Sequence, residues 1–232
     1  MDRSFNNGTR WSRWNQYTRS AFATLEHEFD SGWMAKVQLN HLINGYDSEL
    51  AAVAAGNPDP LTGKGTSLWS GRYVGKTVSN TADFYATGPF ELFGREHELV
   101  VGGGVSRRRW TNASYGENSN TDVANYYDWD GRWPRMNWQH LGDDREVTRE
   151  NGLYVSTRLN LRDDLKLLLG TRYANYNKMD MRETGVWVPY VGAVYDLNDN
   201  FSAYASYTRI FIPRSERDSS NALLPPQTGK NY

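Results

Sequence analysis

The sequence predicts an all-β chain whose antiparallel strands form a segment of a transmembrane β-barrel. Three observations carry this. Apolar and polar side chains alternate with a period of two rather than 3.6. Short turns and long loops alternate between the strands, and the long ones fall at one end of the hairpins, the asymmetry of a membrane barrel. Aromatic residues make up 14% of the chain although its mean hydropathy is only -0.75, a combination suited to rings at membrane interfaces or binding surfaces.

Eight strands follow, at about 12–29, 33–45, 72–88, 97–110, 147–161, 165–179, 186–197 and 201–212. In the second, Trp33, Ala35, Val37 and Leu39 share a face against Met34, Lys36, Gln38 and Asn40. In the fifth, Leu153, Val155, Thr157, Leu159 and Leu161 oppose Tyr154, Ser156, Arg158 and Asn160. The sixth repeats the pattern with Leu165, Leu167, Leu169, Thr171 and Tyr173, and only Leu168 breaks its polar side. Successive side chains of a strand point to opposite faces, so this split suits lipid outside and a wet lumen inside. Lys36, Gln38, Asp83, Arg158 and Arg172 are the expected lumen groups.

Short connections are expected at Asp30-Ser31-Gly32, 89–96, Arg162-Asp163-Asp164 and Asn198-Asp199-Asn200, three of them made of residues that tolerate tight turns. Long ones are expected over 46–71, 111–146, 180–185 and from 213 to about 227. No window carries a capped helical face, and there is no 20–50-residue repeat beyond the hairpins.

Composition narrows the functional classes. With 26 basic and 27 acidic side chains and a net charge of -1, there is no basic stripe for nucleic acid. The absence of cysteine excludes disulfides, thiolate metal sites and cysteine nucleophiles. No apolar run approaches the roughly 18 residues of a membrane helix. The first ten residues hold no apolar signal region, and the last ten, LLPPQTGKNY, read as loop. Both ends look like cuts in a longer barrel. Eight strands without closure leave unpaired edges, so the isolated chain is expected to aggregate or stay detergent-bound.

Four phrases belong together: GNPDPLTGKGTSLW (56–69), ATGPFELFGREHELVVGGGVS (86–106), VPYVGAVYDLNDNFSAYASYTRIFIP (188–213) and LLPPQTGKNY (223–232). The combination resembles the barrel of TonB-dependent siderophore receptors, most of all their ferripyoverdine and ferric-hydroxamate branch, over nearly the whole chain 1–232. The resemblance implies a barrel of about 22 strands filled by an N-terminal plug, a TonB-contacting peptide ahead of the plug, and a closing strand that ends in an aromatic. Neither the plug nor that peptide nor the closing strand is found here, so the chain would supply part of the wall. The resemblance also implies an outer-membrane location in a Gram-negative bacterium, outer-membrane lipid and a ferric siderophore as partners, and TonB as a partner through the N-terminal region. No cofactor is implied, because the chelator already satisfies the iron.

A bulky chelate calls for flat aromatic area and a few polar groups. The segment 111–146 offers Tyr126, Tyr127, Trp129, Trp133 and Trp138, interleaved with Asp128, Asp130, Arg132 and Arg135. Trp69 and Tyr73 close the loop 46–71. Arg132 suits an anionic group on the ligand. Interface girdles explain Trp11, Trp14, Trp33, Tyr173 and Tyr207 better than ligand contact does. The loop rings fit a girdle less well, although they can also pack only on one another.

Other chemistry finds no support. His27, His41, His97 and His140 lack ligand spacing. Gly63-Lys64-Gly65 lacks the Ser or Thr of a phosphate loop, and Gly102-Gly103-Gly104 sits in a strand. Asp143-Asp144 and Asp163-Asp164 have no partnered nucleophile, and there is no nucleophile elbow. The chain reads as no enzyme. Two rivals remain at this level, a diffusion porin or specific channel and a soluble carbohydrate-binding β domain.

Overall fold

The computed structural model describes residues 4–117, 121–179, 181–214 and 216–231. Its strands are β1 (Arg13–Glu28), β2 (Met34–Gly56), β3 (Thr66–Leu92), β4 (Arg95–Gly116), β5 (Asp122–Val123), β6 (Gln139–Asn160), β7 (Leu165–Lys178), β8 (Met181–Asn198), β9 (Phe201–Ile212) and β10 (Gln227–Asn231). They form one sheet in the order β1-β2-β3-β4-β6-β7-β8-β9-β10, with the short β5 added to β3. Each long strand pairs with its neighbour in sequence, as in an up-and-down meander. No helix of the described residues is long and apolar enough to cross a membrane.

Several expected loops are shorter, because strands run into them. β2 continues to Gly56 and β3 begins at Thr66, so the loop expected over 46–71 contracts to residues 57–65. Likewise β4 extends to Gly116 and β6 starts at Gln139, leaving 117–138 of the expected 111–146. These extensions carry charged, small and glycine residues, which single-strand patterning reads as loop. Cross-strand pairing overrides that preference.

Two turns also differ. β3 and β4 meet in Phe93-Gly94, both at positive φ (54° and 71°), the backbone of a two-residue hairpin turn. Phenylalanine at the first position hides it, since that turn normally announces itself as Asn-Gly or Asp-Gly. The long connection expected at 180–185 is instead a reversal after Met179 (φ 45°), with β8 already under way at Met181; Asp180 lies outside the described residues. The last connection runs from 213 to 226, and β10 then pairs with β9 from Gln227↔Ile212 to Asn231↔Thr208. The phrase QTGKN is therefore strand.

The chain divides into two compact units. One comprises residues up to Arg19, Leu42–Val78 and Arg109–Glu146. It holds a small core of Ala51, Val53, Leu68, Val123 and Met136. The other comprises Ser20–His41, Ser79–Arg108 and the residues from Val147 on. It is a single layer. Across β6, β7, β8 and β9 the register sets Thr157 beside Leu169, Val191 and Tyr207, and Leu159 beside Leu167, Ala193 and Ala205. That face leaves Leu153 60% and Leu169 36% exposed. The opposite face carries ion pairs and hydrogen bonds: Lys166–Asp196 at 3.0 Å, Arg158–Glu98 at 3.1 Å, Lys36–Glu26 at 3.0 Å, and Ser202 donating to Asp196 at 2.6 Å.

Candidate functional site

The expected ligand-facing residues all belong to the first unit. Its long connection is fixed in place by backbone pairing. β5 adds to β3 with Thr66 opposite Val123, and the Leu68 amide donates to the Thr121 carbonyl at 2.8 Å. Next comes a single 3-10 turn, Tyr126–Asp128. Asn125 caps it, accepting from the Tyr127 amide at 2.9 Å, while the Tyr126 amide reaches the Gly63 carbonyl at 2.9 Å. Asn, which readily bonds backbone two residues on, favours such a turn.

The indoles then lock this connection to the chain's first residues. Trp11 Nε1 donates to the Trp133 carbonyl at 2.9 Å, and Trp129 Nε1 to the Gly8 carbonyl at 3.3 Å. The Arg10 amide meets the Gly131 carbonyl at 2.8 Å. Trp11 stands edge-on to Trp138 with centroids 6.3 Å apart, and Trp129 lies 6.0 Å from Trp133. Trp11, Tyr126, Trp129, Trp133 and Trp138 all pack on the buried core. Trp11, expected in a girdle, is thus a core-packing residue whose N–H satisfies a loop carbonyl.

The structure divides the expected residues into two sets. Tyr126, Trp129, Trp133 and Trp138 are brought together and hold the connection. Tyr127 touches this set edge-on through Tyr126 (6.2 Å) and is 47% exposed. Arg132 reaches outward beside Asp130 at 3.1 Å. Trp69 follows the buried Leu68 on β3, so alternation turns it to the other side, where it is 45% exposed. Tyr73 is half-buried, its ring folded over Gly71, where a Cβ would lie 2.9 Å from the Tyr73 hydroxyl. Trp69 and Tyr73 are not among the rings packed on the core.

A charged cluster beside the core escaped the sequence reading. Glu49 is 7% exposed and pairs with Arg13 at 3.4 Å and Arg135 at 3.0 Å. Asp47 lies 3.7 Å from Arg13 and 3.6 Å from Arg72, and the Arg72 guanidinium sits 5.5 Å from the centre of the Tyr115 ring. The signal was the spacing of Asp47, Glu49, Ala51 and Val53 on one face of β2, invisible while 46–56 read as loop.

The connection 57–65 is held by polar contacts. Asp59 accepts from the Thr62 amide at 2.7 Å, the Thr62 hydroxyl at 2.8 Å and the Leu61 amide at 3.0 Å. The Thr62 and Leu61 donors hold its carboxyl below the usual carboxylate range. Among the described residues no group of three or more His, Asp or Glu side chains is placed to hold a metal ion. The unit can thus present aromatic and cationic groups on a stiff frame.

The chain matches a family described as TonB dependent receptor-like, beta-barrel, over residues 2–232. It is 47% identical to the ferripyoverdine receptor of Pseudomonas aeruginosa over 100% of its own length and 29% of the relative's. It is 34% identical to the ferric-pyoverdine BN7/BN8 receptor of Pseudomonas putida, again over 100% of this chain and 31% of that one. The chain therefore spans about a third of the length of the curated relatives it matches. Among solved structures, the pyoverdine outer membrane receptor FpvA from Pseudomonas aeruginosa PAO1 bound to pyoverdine superposes with a TM-score of 0.91 at 46% identity, covering 99% of this chain and 34% of that chain.

Proposed function

The chain belongs to the TonB-dependent receptor β-barrel family of the outer membrane, and from that premise we propose that it forms part of the wall and outer loops of a receptor for a ferric siderophore of the pyoverdine class. The observation that carries this reading is the 47% identity to a ferripyoverdine receptor along the entire chain. The two-faced single-layer sheet supports it: apolar side chains meet lipid, and paired charges face the lumen. A porin and a soluble carbohydrate-binding domain, open on residue pattern alone, give way to the family match.

In this reading Tyr127, Arg132 and Trp69 are the accessible groups of the set, and they contact the ligand or its approach path. Tyr126, Trp129, Trp133 and Trp138 set the loop's position, with one edge of their cluster open to the chelate. Tyr73 supports the strand beside Trp69. The iron stays with its chelator, so the protein needs no metal ligand and no cofactor. Uptake is driven through TonB, contacted by a region of the receptor outside these strands.

The test replaces the aligned segment of the Pseudomonas aeruginosa ferripyoverdine receptor with this chain and measures uptake of iron-55 carried by pyoverdines of different peptide types. Uptake of at least one pyoverdine, abolished when TonB is deleted, is the expected result. A correctly inserted chimera that takes up none, or that leaks small solutes without TonB, sinks the reading.

A further inference from the structure

The second unit buries a histidine that the proposed function does not use. His97, near the start of β4, is 4% exposed, and both of its ring nitrogens are bonded. Nε2 lies 2.9 Å from the carbonyl oxygen of Leu92, the last residue of β3. Nδ1 lies 2.9 Å from the amide nitrogen of Asn160, the last residue of β6. A carbonyl can only accept and an amide N–H can only donate. These partners fix the ring in its neutral form, with the proton on Nε2. The Phe90 ring packs against it, the centroids 5.3 Å apart.

The ring joins two strand ends. Leu92 leads into the Phe93-Gly94 turn, where Phe93 holds a positive φ of 54°, a conformation uncommon for a bulky residue. Asn160 closes β6, and its side chain donates to the Glu96 carbonyl at 2.8 Å. Three residues back, the Thr157 hydroxyl donates to the Glu98 carbonyl at 2.9 Å. Side chains thus tie the short-turn end of β4 to β6, and of these three only His97 titrates. The charged groups around it are engaged elsewhere. Glu98 holds Arg158 of β6 at 3.1 Å, and Arg95 holds Asp163 at 2.8 Å. Arg162 holds Asp164 at 2.9 Å, and Lys166 of β7 holds Asp196 at 3.0 Å. Glu96 adjoins His97 in β4 and Glu91 adjoins Phe90 in β3, so alternation turns both to the face opposite the packed rings. Among the described residues none of the ion pairs involves His97.

We propose that His97 is a pH-sensitive fastener: neutral, it ties the β3–β4 turn to the end of β6, and protonated, it lets that end go. A proton taken up at Nδ1 turns the acceptor into a second donor, aimed at the Asn160 amide proton. Two donors then face each other, and the amide loses its partner. The bond to Leu92 survives, because the imidazolium still donates from Nε2. His97 therefore stays with its own hairpin, and the contact that opens is the one to β6. Histidine changes charge between pH 5 and 8, so acid loosens this end of the sheet. In a membrane barrel the short turns lie on the periplasmic side, which makes periplasmic acidity the signal.

The test measures amide hydrogen exchange of the full chain, folded in mild detergent, in steps from pH 8 to 5, with each rate referred to that of an unstructured peptide at the same pH. Protection of the Asn160 amide should fall at least tenfold across the range, while the β7–β8 ladder keeps its own. His97→Asn leaves an acceptor oxygen at the place of Nδ1, so its Asn160 amide should be equally protected at pH 8 and pH 5. His97→Gln reaches past that place, and its Asn160 amide should exchange at pH 8 as readily as that of the unaltered chain does at pH 5. A second readout needs no variant: nitrogen NMR of the His97 ring should show a bare Nδ1 at pH 8, and its protonation should track the loss at Asn160. Level protection of Asn160 in the unaltered chain overturns the proposal. So does a fall that persists in the Asn variant or that departs from the ring's own titration, since another group would then be the sensor.

Discussion

Leu68 and Leu169 are both strand leucines of one sheet, yet Leu68 is 4% exposed and Leu169 is 36% exposed. Leu68 belongs to the first unit and touches a protein core completed by Val123, Met136 and the packed indoles. Leu169 belongs to the second, between Thr157 and Val191 in the ladder, and among the described residues no second layer covers it. A strand pattern of alternating apolar residues thus means two things in this chain. In the first unit it makes a core under a long loop, and in the second it makes a surface whose solvent is lipid.

Removing the core side chain gives the largest expected effect. Leu68→Ala deletes buried methyl groups and leaves a cavity, a change that costs about 2–5 kcal/mol. The loss should stay local. Limited proteolysis should cut within 117–138, while hydrogen exchange in the β7–β8 ladder stays as slow as before. Equal loosening of both regions would erase the distinction between the units.

The second unit should answer to charge rather than to volume. Leu169→Arg, on the apolar face, is expected to cost about 2–4 kcal/mol if the side chain lies near the bilayer midplane. Ser206→Arg lies on the opposite face, opposite Gly192, and should be close to neutral. Denaturant unfolding from lipid vesicles compares the two, and similar costs would mean that the faces are assigned the wrong way round.

A smaller effect is expected at the charged cluster. Glu49→Gln keeps the shape of the side chain but removes the charge that holds Arg13 and Arg135. Arg135 lies in the long connection, so its release should speed exchange near Met136 without unfolding the core. Unchanged exchange there would show that the indoles alone fix the connection.

The strand order and the positions of all eight expected strands were legible, most clearly where the alternation is strong: Leu153 to Leu161 and Leu165 to Tyr173 can bury only one face. Strand length was not. Asp47, Glu49 and Arg72 look like loop residues until their partners on neighbouring strands are known, and those partners lie far away in sequence. The turn at Phe93-Gly94 was hidden for a related reason, since its backbone is dictated by the hairpin rather than by Phe93. The candidate site was legible as a composition, many rings in one connection. It was not legible as a geometry. Nothing local to Trp129 or Trp133 tells that they pack inward against the buried core, whereas Tyr127 and Arg132 remain outside.

The smallest expected effect sharpens the comparison within the first unit itself, because residues 57–65 are held by a carboxylate and not by the core. The carboxyl of Asp59 is depressed in the folded chain by the Thr62 and Leu61 donors, relative to about 3.9 in an unfolded one. Its contribution to order is therefore fully present above that unfolded value and is lost as pH falls through the lower folded value. Amide protection of Leu61 and Thr62 should stay flat from pH 8 to about 5 and drop only below the ordinary carboxylate range, while the amides of Leu68 and Val53, which lie in the core strands, keep theirs. Asp59→Asn retains an acceptor oxygen but no titrating proton, so its protection should be weaker at neutral pH and independent of acid. If protection at Thr62 fell between pH 7 and 5, another group would be fastening this loop. If Leu68 lost protection in step with Thr62, the loop and the core would be one cooperative element rather than two.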